Sequence, residues 1–319
     1  MTTSTSTSTS STTSTSSRTG AGSARDAGYR RVAATGVSTA FGTFGELLQG
    51  VLPEEDGDFL VTLPVARWSL ARFELGAPGD ALTVSPEHKA KALRLASMIL
   101  ADSGGGAGGM LRIDSTLPEG KGLASSSADL VATARAVANA LDEPMPPRRL
   151  ETYLARIEPT DGVLYPSIVA FHHRSVRLRA RLGSLPSMAV VGIDEGGAVD
   201  TVAFNAIPKP FTEADKHRYA RLLERVTGAI ARGDLAEVGR VATASARMNQ
   251  VLRHKWALEP MVRICEEVGG LGVAVAHSGT TLGVLLDSTA PDCPARLAAA
   301  ARRCQELSGD VTVYHTLSF

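Results

Sequence analysis

Cysteine is scarce in this chain: Cys265, Cys293 and Cys304 are its three thiols in 319 residues, and none is spaced C-x-x-C. An odd number without that spacing argues against a disulfide framework and against zinc or dithiol redox sites. Ordinary thiols in a reducing compartment are expected, which makes the cytoplasm the default. No apolar run approaches the roughly 18–20 residues that cross a bilayer. Charge of one sign is in no excess, with Lys+Arg and Asp+Glu both at 33. The footprint of a general nucleic-acid or membrane-surface binder is therefore missing, although a local basic pocket for a small anion is compatible with balance. The first residues, MTTSTSTSTSSTTSTSS, carry neither a charged n-region nor an apolar h-region, so no secretory signal is expected.

What is present is core-forming material. Hydrophobic residues make up 44% and charged residues 21%, enough for two ordinary domains or one large one. Residues 1–28 are Ser/Thr/Gly-rich and nearly free of large apolar side chains, and read as a disordered tail. Beyond it, 59–75 reads as strand interrupted at Pro64. Ser85-Pro86 reads as an N-cap and N1 proline opening a helix over 86–101, and 110–114 as a short strand. A helix over 125–141 places Leu130, Ala134, Val137, Ala138 and Leu141 on one face. A further helix carries Leu150, Leu154 and Ile157. The second half offers strands at 187–194, 272–277, 281–287 and 310–315, and helices near 212–231, 235–250, 258–268 and 293–307. Strands and helices mix without strict βα alternation, so the fold class is α+β in two lobes.

The stretch LPEGKGLASSSADL (117–130) puts small hydrogen-bonding residues where a helix should begin. A helix N-terminus offers unpaired N–H groups and positive potential. Gly120 and Gly122 allow close approach of backbone to an oxyanion, Ser125, Ser126 and Ser127 offer hydroxyls, and Lys121 adds charge. One serine would suffice as a cap; three exceed that need. Physics alone makes this an anion cradle of unspecified type. The Walker A frame is absent, and Ser125 stands where a Rossmann third glycine would be.

PEGKGLASSSADL (118–130) resembles the P-x-x-x-G-L-G-S-S-A-A signature of the GHMP kinases, the superfamily of galactokinase, homoserine kinase, mevalonate kinase and phosphomevalonate kinase. It departs from that signature at Ala124, usually glycine, and at Ser127, usually alanine. Four companion segments fit the same resemblance. GELLQG (45–50), with Glu46 and Gln49, and E-P-T-D (158–161) are similar to the L-threonine kinase branch of cobalamin biosynthesis, as is GGAVDTVAFN (196–205) with Asp200 and Asn205. GGLGVAVAHSGTTLGVLL (269–286) resembles the third superfamily motif, with His277, Ser278, Gly279 and Thr280 at its turn. Read without the resemblance, Glu46 and Gln49 are equally turn residues, and Pro159–Gly162 is equally a β-turn. Ser278 lacks the G-x-S-x-G frame of a hydrolase elbow, and His172-His173 lacks a third metal ligand at a supporting spacing.

The resemblance implies a two-lobed GHMP kinase fold, with ATP and Mg²⁺ in a cleft between an N-terminal α/β lobe (29–185) and a C-terminal ferredoxin-like lobe (186–319). Pro118, Gly120, Lys121, Gly122, Leu123, Ala124, Ser125, Ser126 and Ser127 would wrap the polyphosphate. Ser126 and Glu158 would hold the metal, with Glu151 as competitor to Glu158. Asp161 would orient or deprotonate the acceptor hydroxyl, and Lys121 is a second catalytic candidate. Glu46, Gln49, Thr160, Asp161, His277, Ser278, Gly279 and Thr280 would line the substrate. Arg247 and Lys255 are candidates to clamp a carboxylate. The implied partner is a small hydroxylated amino acid, L-threonine first, with no nucleic acid or membrane; the resemblance leaves a homodimer open. A kinase of another hydroxylated acceptor and a non-catalytic nucleotide-binding regulator remain the alternatives.

Overall fold

The computed structural model describes residues 34–104, 107–197 and 207–319. Its frame is a long hairpin, β1 (Thr35–Val51) against β2 (Asp58–Pro78). Residues Ala40–Gly50 of β1 are buried without alternation, as expected of a strand covered on both faces. β2 runs through Pro64 unbroken, which corrects the expected interruption. Pro64 stands opposite Thr43, beside a register shift in β1, where the ladder is already irregular and a missing N–H is tolerated.

Two short strands extend this frame: β3 (Leu82–Ser85) lies parallel to β4 (Ala107–Ser115), and β4 pairs with β2. Ser85 is therefore a strand residue opposite Arg112, and it caps nothing. The helix α1 begins at Ala90 and runs to Asp102. Here strand pairing overrode the local Ser-Pro signal for a start at 86. α2 (Ser125–Ala140) matches the expected helix, and almost every position of it is buried. Its small side chains let the strand come close: a Cβ on Gly36 would lie 1.9 Å from the Ala136 carbonyl oxygen. α3 (Pro147–Ala155) follows, then β5 (Ile168–His172) and β6 (Arg177–Gly183), a pair that the sequence pattern did not announce.

The second half runs β7 (Met188–Asp194), α4 (Glu213–Arg232), α5 (Leu235–Met248), α6 (Leu258–Glu267), β8 (Gly272–Val275), β9 (Thr281–Asp287), α7 (Cys293–Ser308) and β10 (Thr312–His315). α4, expected near 212–231, opens on a capping box between Thr212 and Asp215 and closes on Gly233 at φ 66°. Within this half the strand order is β10-β7-β9-β8. For a β-α-β-β-α-β succession, with α4–α6 in its first crossover, that is the ferredoxin-like arrangement. The sheet continues from β8 into β1 through one rung, Glu46 opposite Val275. Glu46 is thus the residue of β1 that pairs with the sheet of the second half through β8.

Candidate active site

β4 leads into the glycine–serine loop, and the loop into α2. Its carbonyls are held from the β1 side: the Thr43 N–H donates to Leu123 at 3.2 Å and the Gly45 N–H to Gly122 at 3.3 Å. No side chain caps the first turn of α2, and that turn borders a cavity of about 470 Å³. Uncapped N–H donors at a helix start suit phosphate oxygens. The glycines have a second purpose. Gly122 has φ 81°, and a Cβ there would lie 2.3 Å from the Ala276 side chain and 2.9 Å from Gly279. The β8–β9 turn packs against the loop from behind, so Gly122 admits protein backbone as much as any anion. Ala124 lies in the left-handed region, φ 58° and ψ 30°. Glycine would adopt that conformation freely, whereas alanine is strained by roughly 1–2 kcal/mol. That is a physical reason to expect glycine at this point of the turn.

Ser126 and Glu158 come together in the cavity wall. The Ser126 hydroxyl donates to Glu158 Oε1, and Lys91 Nζ donates to Oε2. Two hard oxygens beside the glycine–serine loop fit Mg²⁺, which takes few protein ligands and completes its shell with phosphate and water. No group of three or more His, Cys, Asp or Glu that could hold a metal occurs among the described residues, which is compatible with that mode. Glu151 is used elsewhere: its carboxylate accepts from Tyr165 Oη at 2.8 Å and from the Leu178 N–H at 2.7 Å.

Asp161 also lines the cavity. Its backbone N–H donates to Ser127 Oγ at 3.0 Å, and the Thr160 N–H donates to the His173 carbonyl at 3.0 Å. Burial and the neighbouring charge of Glu158 push the Asp161 carboxyl up to about 6, opposed by a hydrogen bond from Ser127. Glu46, 3% exposed, is raised well above the carboxylate range, by burial first and by Asp161 second. His277 packs edge-on to His173, with ring centroids 4.6 Å apart, and its Nδ1 lies 2.5 Å from Gln49 Oε1. Burial holds His277 well below its ordinary value, so it is a neutral imidazole.

The remaining expected residues are placed around this wall or apart from it. Thr160, His277 and Ser278 line the cavity, and Gln49 stands behind His277. Lys121 turns away: its ammonium is 2.6 Å from Asp194 Oδ2 and 2.7 Å from the Gly197 carbonyl. The Thr280 hydroxyl bonds Asp194 too, and Gly279 packs against the Lys121 backbone. Pro118 is outside the lining. Arg247 is paired with Glu259 at 2.9 Å. Lys255 is buried, donates to the Gly279 carbonyl at 2.8 Å, and is pulled down to about 8 by burial. His172 is buried on β5 with Nδ1 3.2 Å from the Asp58 carbonyl. Asp200 and Asn205 lie outside the described residues.

Sequence reasoning missed the two lysines at the start of α1, Lys89 at its N-cap and Lys91 in its first turn. Lys89 Nζ bridges Glu119 and Asp129, 2.6 Å from Asp129 Oδ2, and Asp129 Oδ1 accepts from the Ser69 hydroxyl at 2.6 Å. Both Lys89 and Lys91 line the cavity. The available signal was two lysines at a helix start with no acidic residue in the first turn, a placement that the helix dipole disfavours unless the charges are paired elsewhere.

Comparison with known proteins agrees with this geometry. Residues 90–165 match the family model described as GHMP kinases N terminal domain, and residues 226–303 the model described as GHMP kinases C terminal. The chain is 29% identical over 251 residues to the L-threonine kinase of Citrobacter freundii, covering 78% of this chain and 85% of that one. In fold it is similar to the homoserine kinase of Cytophaga hutchinsonii, with TM-score 0.71, 16% identity, and coverage of 91% of this chain and 96% of the other. It is similar also to MDDEF in complex with MVAPP, AMPPCP and magnesium, with TM-score 0.65, 14% identity, and coverage of 89% and 97%. The two matched models divide over the two halves of the fold in their proper order, and the chain accordingly belongs to the GHMP kinases, as an ATP-dependent kinase that acts on a hydroxyl group.

Proposed function

We propose that the protein phosphorylates the side-chain hydroxyl of L-threonine, giving O-phospho-L-threonine. The single observation that supports this most is the convergence of Ser126, Glu158 and Asp161 on one cavity at the start of α2. The N–H groups of the first α2 turn and the hydroxyl of Ser125 are suited to bind the polyphosphate of ATP. Ser126 and Glu158 would hold Mg²⁺, which when bound neutralises phosphate charge and orients the transferred group. Asp161 is suited to accept the acceptor's hydroxyl proton, since burial and the charge of Glu158 push its carboxyl up to about 6. Lys91 fixes the second oxygen of Glu158 and so aims the first toward Ser126. Positioning and charge neutralisation account for most of the rate in phosphoryl transfer, and these residues supply both.

Threonine as acceptor is supported by the likeness to the L-threonine kinase of Citrobacter freundii. We take residues 29–185 and 186–319 as the two lobes, and the cytoplasm as the compartment, where the product would feed cobalamin assembly as in the branch it resembles. The deciding experiment measures ADP release with ATP and Mg²⁺ over L-threonine, L-serine, L-homoserine and non-amino alcohols. Threonine should give the highest kcat/KM. Inert threonine beside another active acceptor would overturn the substrate, and binding of ATP with no ADP from any acceptor would favour a non-catalytic regulator.

A further inference from the structure

One oxygen in the cavity wall lacks a partner among the described residues. Glu46 occupies the lone β1–β8 rung, is 3% exposed and lines the cavity. The His277 backbone N–H bonds its carboxylate, while Oε2 has no hydrogen-bond partner among the described residues. A buried carboxylate oxygen left bare is unfavourable and calls for an explanation. Burial is not its only burden, because the carboxylate of Asp161 acts on it as a like charge.

The groups around it show what would relieve both. The two lysines of the cavity are already engaged, Lys91 with Glu158, and Lys89 with Glu119 and Asp129. His277 is neutral and held by Gln49, and His173 packs on it. Lys255 exerts some pull on Glu46, yet its ammonium donates to the Gly279 carbonyl behind the turn. A neutral ligand hydroxyl would give Oε2 a donor and leave the carboxylate repulsion in place. A ligand cation gives a donor and a counter-charge together, in the stronger, charge-assisted form.

We propose that Glu46 Oε2 binds the ammonium group of the acceptor, so that the cavity selects amino alcohols and hydroxylated amino acids over sugars and hydroxy acids. This deepens the reading of the cavity as the acceptor site and rests on it. The other way to satisfy Oε2 is a proton on it, donated to a ligand oxygen; that arrangement would leave binding indifferent to the amine.

The test compares L-threonine with (R)-3-hydroxybutanoate, its analogue without the amine, on the full chain with ATP and Mg²⁺. The amine should raise kcat/KM by about 100-fold or more, the scale expected when a buried charged group loses its partner. Glu46→Gln should shrink that ratio to about 10-fold or less while the KM for ATP stays unchanged, and Glu46→Asp should keep most of the preference. Turnover of both compounds within about 3-fold of each other would overturn the inference, and this wild-type comparison decides it even if the variants fail to fold. If neither compound releases ADP, calorimetric binding of the same two compounds separates the claims. Binding of L-threonine alone would uphold the role of Glu46 and remove threonine as phosphoryl acceptor. Equal binding, or none, would overturn the role of Glu46.

Discussion

Ser127 Oγ, in the first turn of α2, accepts the backbone N–H of Asp161 at 3.0 Å. The same hydroxyl bonds the Asp161 carboxyl and lowers its proton affinity. At a position where alanine is usual in the signature, the loop proposed to hold phosphate is thereby tied to the residue proposed as base. Ser127→Ala should lower kcat by about 10-fold, the worth of one or two buried hydrogen bonds, with little change in the KM for ATP. A rise confined to that KM would instead assign Ser127 to phosphate binding. Steady-state kinetics with each substrate varied in turn distinguishes the two.

Asp161 carries a pH signature in both activity and stability. As a base it works ionised, so kcat should rise with pH through about 6 and be lost below it. The stability consequence has the opposite sense. Its folded value of about 6 lies above the ordinary aspartate value of 3.8; the folded state holds the proton more tightly, and stability from this group declines as pH rises through that window. Asp161→Asn should therefore abolish most turnover, yet raise Tm at pH 7.5 relative to wild type, with the gain vanishing toward pH 4. Thermal melts across that range read it directly.

Ser126 and Glu158 should behave as one unit. Ser126→Ala and Glu158→Gln should each reduce turnover by an order of magnitude or more and raise the Mg²⁺ concentration needed for half-maximal rate. Their double variant should cost little beyond either single one. Glu151→Gln is the control: it should lower Tm by weakening its bonds to Tyr165 and Leu178, and leave the Mg²⁺ dependence alone.

Ala124 tests the strain in the loop. Ala124→Gly should stabilise the protein by up to about 1 kcal/mol, because relief of the left-handed conformation outweighs the greater chain entropy of glycine. Denaturant unfolding measures it. A loss of stability would mean that the Ala124 methyl, in a residue 7% exposed, contributes more by packing than it costs in strain.

The loop and its helix were legible because their signals are contiguous: Gly120, Gly122 and the serines announce a helix start, and the alanines after them a close-packed α2. The helix near 212–231 and the strand runs of β7 and β9 were legible for the same reason. β3 was not, since Ser85-Pro86 signals a helix start locally while β3–β4 pairing, a contact between distant segments, decides otherwise. β5 and β6 escaped because partners on β2 and on each other define them.

In the site, sequence alone pointed to the glycine–serine loop at 120–127 and to the carboxylates worth watching. Only tertiary structure decided what each of them touches. It set Glu158 beside Ser126 and Lys91, engaged Glu151 with Tyr165 and Leu178, and turned Lys121 toward Asp194. It also set Glu46 at the rung where the two halves of the sheet join. Short-range propensity fixes a turn or a helix cap within a few residues, whereas the charge and solvation of a side chain depend on neighbours that packing selects from the whole chain.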